Sequence, residues 1–231
     1  LKRHLPNAVT CLNLFAGCLA LVQIFAGNPQ AAAYLVGIAA LFDFVDGLIA
    51  RALHVSSPIG KDLDSLADMV SFGVVPGAFL FILLQQALPT AGLPQWLAYA
   101  GFIVTVFSAL RLAKFNNDTR QTTSFIGLPT PANTLLVASL PLILANDTFG
   151  LTPYILNAWV LLPLTLLVSY LLVAEIPLFA LKFKNMSWQD NSLRFIFVLL
   201  AVGLILLLQA TAIPLVVLLY VALSMLKPSY S

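Results

Sequence analysis

The chain has 231 residues, of which 61% are hydrophobic and only 9% charged, whereas a soluble domain carries about 45–50% apolar and about 25% charged residues. So little polar surface cannot coat a water-soluble globule, and a mean hydropathy of +0.99 makes lipid the main solvent. A formal net charge of +2 points to no nucleic-acid partner, and at roughly 20 residues per membrane-crossing helix the length leaves no room for a separate soluble domain.

Apolar runs bounded by Pro, Gly and polar residues predict about eight transmembrane helices, at 8–27, 31–54, 58–88, 94–115, 131–146, 153–176, 193–210 and 213–226. The expected fold is all-α, a polytopic integral membrane helical bundle forming a single membrane domain over 1–231. Breaks fall at Gly27-Asn28-Pro29, at Ser56-Ser57-Pro58 where Ser can cap and Pro can start a helix, between Pro89 and Pro94, at Pro129 and Pro131, and at Pro153. Cys11 and Cys18 lie on the first helix, where a rise of ~1.5 Å per residue holds them ~10 Å apart, beyond disulfide reach.

The 11 Lys and Arg residues fall on one side of this topology. Lys2 and Arg3 precede the first helix, Arg51 and Lys61 flank the turn between the second and third, and Arg111, Lys114 and Arg120 close the fourth. Lys182, Lys184 and Arg194 lie between the sixth and seventh, and Lys227 follows the eighth. By the positive-inside rule this puts both termini in the cytoplasm. Asp147 falls on the far side and reads as a plain loop residue.

Asp43 and Asp46 near the end of the second helix, and Asp64 and Asp68 near the start of the third, stand in apolar surroundings. An ionised carboxylate at membrane depth costs at least ~2.5–3.5 kcal/mol, so four unpaired ones would cost about 10 kcal/mol. Nearby Arg51 and Lys61 are too few to offset them. Asp43 and Asp46 share a helix face, as do Asp64 and Asp68, and a short turn makes the two helices antiparallel, so the four carboxylates are expected to form one cluster. An oxygen-only donor set without Cys or His favours Mg²⁺ or Mn²⁺ over Zn²⁺, and two ions could share it.

Gly47 and Ala50 follow the first pair on neighbouring turns and Gly60 precedes the second. Their lack of bulk leaves a slot in which a ligand can approach the metal site. Arg51 is expected at its mouth, where a guanidinium holds a phosphate by two hydrogen bonds, and Lys61 is a further candidate. Cation, Arg and slot together suggest a diphosphate substrate. Arg111, late in an otherwise apolar helix, reads as an inward anion-binding residue, with Lys114 nearer the interface. Thr10 and Asn13, three apart on the first helix, either contact a nucleotide or hydrogen-bond between helices.

Asp43-Phe-Val-Asp46-Gly47-Leu-Ile-Ala50-Arg51, then Gly60, Asp64 and Asp68, resembles the signature of the CDP-alcohol phosphotransferases at every fixed position. The opening Leu5-Pro6-Asn7 with Thr10, Asn13 and Gly17, the segment Leu110 to Asn116, and Phe125-Ile126-Gly127-Leu128-Pro129-Thr130-Pro131-Ala132 are similar to the branch of that family that uses serine. In that branch a small or apolar residue is expected near position 130 and again near 133, where this chain carries Thr130 and Asn133.

The resemblance implies transfer of a phosphatidyl group from CDP-diacylglycerol to L-serine with release of CMP, by a homodimer in the cell membrane. Asp43, Asp46, Asp64 and Asp68 are then the metal ligands, with Asp68 also taking the hydroxyl proton. Thr10, Asn13, Gly47, Ala50, Arg51, Gly60 and Lys61 fall to CDP-diacylglycerol, and Arg111 and Lys114 to serine. Another alcohol acceptor (glycerol 3-phosphate, inositol, choline), an ether-lipid donor, or a cation or proton transporter using the same aspartates are the alternatives.

Overall fold

The computed structural model describes residues 4–55, 57–117, 125–178 and 188–226, and these are very largely helical. Lys2, Arg3, Arg120, Lys182, Lys184 and Lys227 lie outside the described residues, as does the side chain of Arg194, so the charge pattern built on them is not visible there.

Eight principal helices follow one another: α1 (Leu5–Phe25), α2 (Pro29–Ala52), α3 (Pro58–Ala87), α4 (Gln95–Asn117), α5 (Thr130–Asn146), α6 (Ala158–Val173), α7 (Trp188–Leu208) and α8 (Ala212–Leu226). Helices α1 to α4 and the stretch Phe195–Met225 are long and apolar enough to cross a membrane, while α5 and α6 are shorter apolar helices of 17 and 16 residues. The chain is an all-α polytopic membrane protein. Gln209 takes a φ of 49° and folds α8 back on α7, bringing the rings of Phe197 and Tyr220 to 5.7 Å.

The sixth expected helix needs correction. It does not run from 153 to 176: a single turn, Thr152–Ile155, precedes it, and α6 itself is Ala158–Val173. The Asn157 side chain accepts the Trp159 N–H at 2.9 Å, capping a new start. Beyond α6, Pro177–Leu178 pairs antiparallel with Phe125–Ile126, a short ribbon that hydropathy alone could not reveal. Asp147 is more than a plain loop residue: at a φ of 39° it ends α5 and accepts the Thr152 N–H at 3.1 Å. Hydrogen bonding to Thr152 holds its carboxyl below the usual range.

Helix α3 is the axis of the bundle, with Phe72, Val75, Phe79, Leu80 and Leu84 fully buried. Against it α1 and α2 bury mostly small and polar residues and turn large apolar ones to lipid. In α1 the buried face is Pro6, Thr10, Asn13, Gly17, Ala20 and Ile24, while Leu12, Phe15, Leu19 and Val22 are exposed. Close approach of backbones, rather than exclusion of water, holds such interfaces.

Immediately after Asp68, α3 widens into a π-helical stretch, Met69–Val74. Pro76 explains it. It has no N–H to give the carbonyl four residues before, and its ring crowds that carbonyl. Neighbouring helices satisfy the groups set free. Thr134 Oγ1 of α5 donates to Phe72 O at 3.0 Å and Thr105 Oγ1 of α4 donates to Gly73 O at 2.9 Å, with Ser108 Oγ a longer 3.5 Å from Phe72 O. Ser71 Oγ donates to Asn13 O of α1 at 3.0 Å, an approach that Gly17 permits, since a Cβ there would stand 2.9 Å from Ser71 Cα. These contacts set α1 and α5 parallel to α3, and α4 antiparallel.

Gly127 closes the segment between the ribbon and α5. It has a φ of +76°, and a Cβ on it would stand 2.6 Å from Leu172 O; its N–H donates to Ile176 O at 3.0 Å. Gly127→Ala therefore combines a left-handed backbone with a backbone clash, and should lower stability by about 1–3 kcal/mol, read as a fall in Tm of the detergent-purified protein. An unchanged Tm would contradict this packing.

Candidate active site

The α2–α3 hairpin carries the four aspartates. Carboxylate oxygens of Asp43, Asp64 and Asp68 lie within 4.8 Å of one another, each residue partly buried. Two ionised carboxylates at 4.8 Å repel by about 3.5 kcal/mol at an effective dielectric of about 20, so three together call for a cation. The donor set fits one: it is oxygen-only, and oxygens on opposite sides of an ion with bonds of about 2.0–2.6 Å fall at this spacing. The cluster can hold a divalent metal.

Asp46 stands outside this trio. It is buried, and its Oδ2 accepts from Thr10 Oγ1 at 2.7 Å. Asn13 Nδ2 donates to Asp68 Oδ1 at 3.4 Å. Helix α1 thus gives one hydrogen bond to each arm of the hairpin, from two residues on its buried face. Of the two roles open to Thr10 and Asn13, the structure shows the bonding between helices.

A cavity of about 280 Å³ opens beside the cluster between α1, α2 and α3, and Thr10, Asp46, Gly47, Ala50, Gly60, Lys61 and Asp64 are among its lining residues. Both glycines keep it open. A Cβ on Gly47 would stand 3.4 Å from Arg51 Nη1, and one on Gly60 would stand 3.1 Å from Asn7 Oδ1. The exposed Arg51 guanidinium accordingly lies beside Gly47, although Arg51 itself does not line the cavity. Ser57 caps α3 by accepting the Gly60 N–H at 3.0 Å. Lys61 reaches the end of α4, its Nζ donating to Asn116 O at 2.8 Å, and Asn116 Nδ2 returns to Ser65 Oγ at 2.7 Å. The amine that lines the cavity is therefore also a tie between α3 and α4.

Arg111 is 6% exposed. Its Nε donates to Leu128 O at 2.8 Å and its Cζ lies 5.6 Å from the Phe115 ring centre. Among the described residues no hydrogen bond from its terminal nitrogens is seen. Lys114 is exposed, and no hydrogen bond joins it to the cluster among the described residues. Reading the sequence missed the π stretch, whose signal was Pro76 between Gly73 and Gly77, and it marked Thr130 and Asn133 as polar departures without foreseeing that both are buried where α5 begins.

Fold and site together define an integral-membrane protein with a carboxylate cluster that could hold a cation, beside a cavity between α1, α2 and α3. Residues 3–171 match the sequence model of the CDP-alcohol phosphatidyltransferases, and the chain belongs to that family; it is a transferase. The match takes in α1 to α5, most of α6 and every residue of the site. Among curated relatives, CDP-diacylglycerol–serine O-phosphatidyltransferase of Bacillus subtilis is 32% identical over 154 residues, covering 64% of this chain and 84% of the relative. The protein of the same name from Helicobacter pylori is 29% identical over 204 residues, 87% of this chain and 80% of the relative. That of Mycobacterium leprae is 33% identical over 181 residues, 75% of this chain but 57% of the relative.

Proposed function

We propose that this enzyme transfers a phosphatidyl group from CDP-diacylglycerol to the hydroxyl of L-serine, giving phosphatidylserine and CMP. The observation that carries the reading is the buried Arg111 guanidinium on α4, which lies between the two contacts that join α4 to α3 on either side of Asp68, Ser108 to Phe72 and Asn116 to Ser65. Relatives that bear the serine-transferase name support it.

Asp43, Asp46, Asp64 and Asp68 would hold Mg²⁺ or Mn²⁺, as two ions in this reading, which when bound neutralise the diphosphate and the charge growing on the departing CMP. Gly47, Ala50 and Gly60 leave the room in which the nucleotide diphosphate lies, and Arg51 grips a phosphate at the cavity mouth. Lys61 adds positive charge on the same wall. Thr10 and Asn13 keep Asp46 and Asp68 aimed at the substrate. Arg111 takes the serine carboxylate and turns the hydroxyl toward Asp68, which accepts its proton as the serine oxygen bonds to the phosphatidyl phosphorus and the bond to CMP breaks. Lys114 adds positive potential for the approaching serine. The acyl chains stay in lipid throughout.

The same reading places the enzyme in the cell membrane as a single membrane domain, acting as a homodimer through an apolar helix face, with the site and both termini cytoplasmic. Cross-linking in native membranes reads the dimer. A cysteine introduced at Asn117, the last residue of α4, should react with an impermeant reagent only from the cytoplasmic side; reaction from outside would invert the topology.

CMP release by purified enzyme with CDP-diacylglycerol should require serine, and glycerol 3-phosphate, inositol or choline should not replace it. Arg111→Ala should cost about 2–4 kcal/mol in kcat/KM for serine, as for deleting one partner of a desolvated charge pair, with the KM for CDP-diacylglycerol changed far less. Arg111→Lys should recover part of the loss, because an ammonium cannot make the planar two-point contact. Collapse of CDP-diacylglycerol binding with serine kinetics untouched would move Arg111 to the phosphate site.

A further inference from the structure

Among the described residues, four buried side-chain polar atoms lack a hydrogen-bond partner: Asn13 Oδ1, Thr130 Oγ1, and both Oδ1 and Nδ2 of Asn133. All three residues are fully buried. Leaving such groups unpaired costs the protein their desolvation, and native structures rarely tolerate it without a ligand or water to meet them.

Their placement says what they meet. Thr134 donates to Phe72 O, and α5 runs parallel to α3. One turn back along each helix therefore brings Thr130 of α5 level with Asp68 of α3. Asn13 already touches Asp68 from α1, and Arg111 of α4 is tied to Leu128, two residues before Thr130. Four helices thus bring a carboxylate, a guanidinium and a set of neutral polar groups to one depth.

We propose that Thr130 and Asn133, with the side-chain oxygen of Asn13, form the pocket that binds the ammonium group of the acceptor. This rests on the reading of serine as acceptor. An ammonium offers three N–H donors, and Asn13 Oδ1, Thr130 Oγ1 and Asn133 Oδ1 are three acceptors. Their neutrality matters, since a further carboxylate at this depth would compete with the aspartates for metal. Serine is then recognised at three points: carboxylate at Arg111, hydroxyl at Asp68, ammonium at the neutral oxygens.

The test is steady-state kinetics of Thr130→Val, Asn133→Leu and Thr130→Ser beside the wild type. Two competitive inhibitors accompany it: 3-hydroxypropionate, which is serine without its amine, and ethanolamine, which is serine without its carboxylate. The first two variants should raise the serine KM and the ethanolamine Ki roughly tenfold or more, leave the KM for CDP-diacylglycerol and the Ki of 3-hydroxypropionate near wild type, and melt no lower than wild type. Thr130→Ser should restore serine affinity. An unchanged serine KM in both variants, or a 3-hydroxypropionate Ki that rises in step with it, overturns the subsite while leaving serine as acceptor. A wild-type enzyme that releases CMP with another alcohol in place of serine overturns the underlying reading and the subsite with it.

Discussion

Three carboxylates within 4.8 Å of one another, in a chain whose main solvent is lipid, set the terms for everything around them. Each pair repels, and each oxygen has given up part of its hydration. Such a cluster persists only if neighbouring elements hold it and something positive completes it. The protein supplies the first through α1, whose Thr10 and Asn13 reach one arm of the hairpin each. The second is what a divalent cation could supply, since the three carboxylates can hold one.

The π stretch after Asp68 is how the helical scaffold accommodates this demand. Pro76 releases the Phe72 carbonyl, and hydroxyls from α4 and α5 come to it and its neighbour. Those bonds do two things at once. They satisfy backbone groups that lipid cannot, and they lock the register of α1, α3, α4 and α5 at the depth of Asp68. A single residue without an N–H thereby draws hydroxyls of α4 and α5 to α3 within two turns of Asp68.

The parts of this arrangement that were legible in the sequence are those written as spacing or as chemistry out of place. Aspartates in apolar runs, with Gly47, Ala50 and Gly60 at helical spacing, announced a cation site beside a slot, and hydropathy located eight helices to within a few residues. Which way each helix faces was not legible, because the inward faces of α1 and α2 are mostly small and polar while their outward ones are large and apolar, and the bias is weak in a chain that is apolar all round. Asp46 turning to Thr10 rather than joining the trio, Lys61 reaching Asn116, and the ribbon at Phe125–Ile126 all depend on contacts between segments far apart in sequence. Asn133 stood out in the sequence only as a polar residue where a small or apolar one is expected, and that it is fully buried without a partner depends on its neighbours in the fold.

The claim on which the account turns is that carboxylates from both arms of the hairpin make one cation site, and metal-dependent stability tests it without turnover. A ligand that binds only the folded state raises stability by mass action. Titrating Mn²⁺ into the purified protein should raise Tm saturably, and the rise should vanish both in Asp43→Asn, which alters α2, and in Asp64→Asn, which alters α3. A Mn²⁺-induced rise that survives in either variant would contradict the shared site.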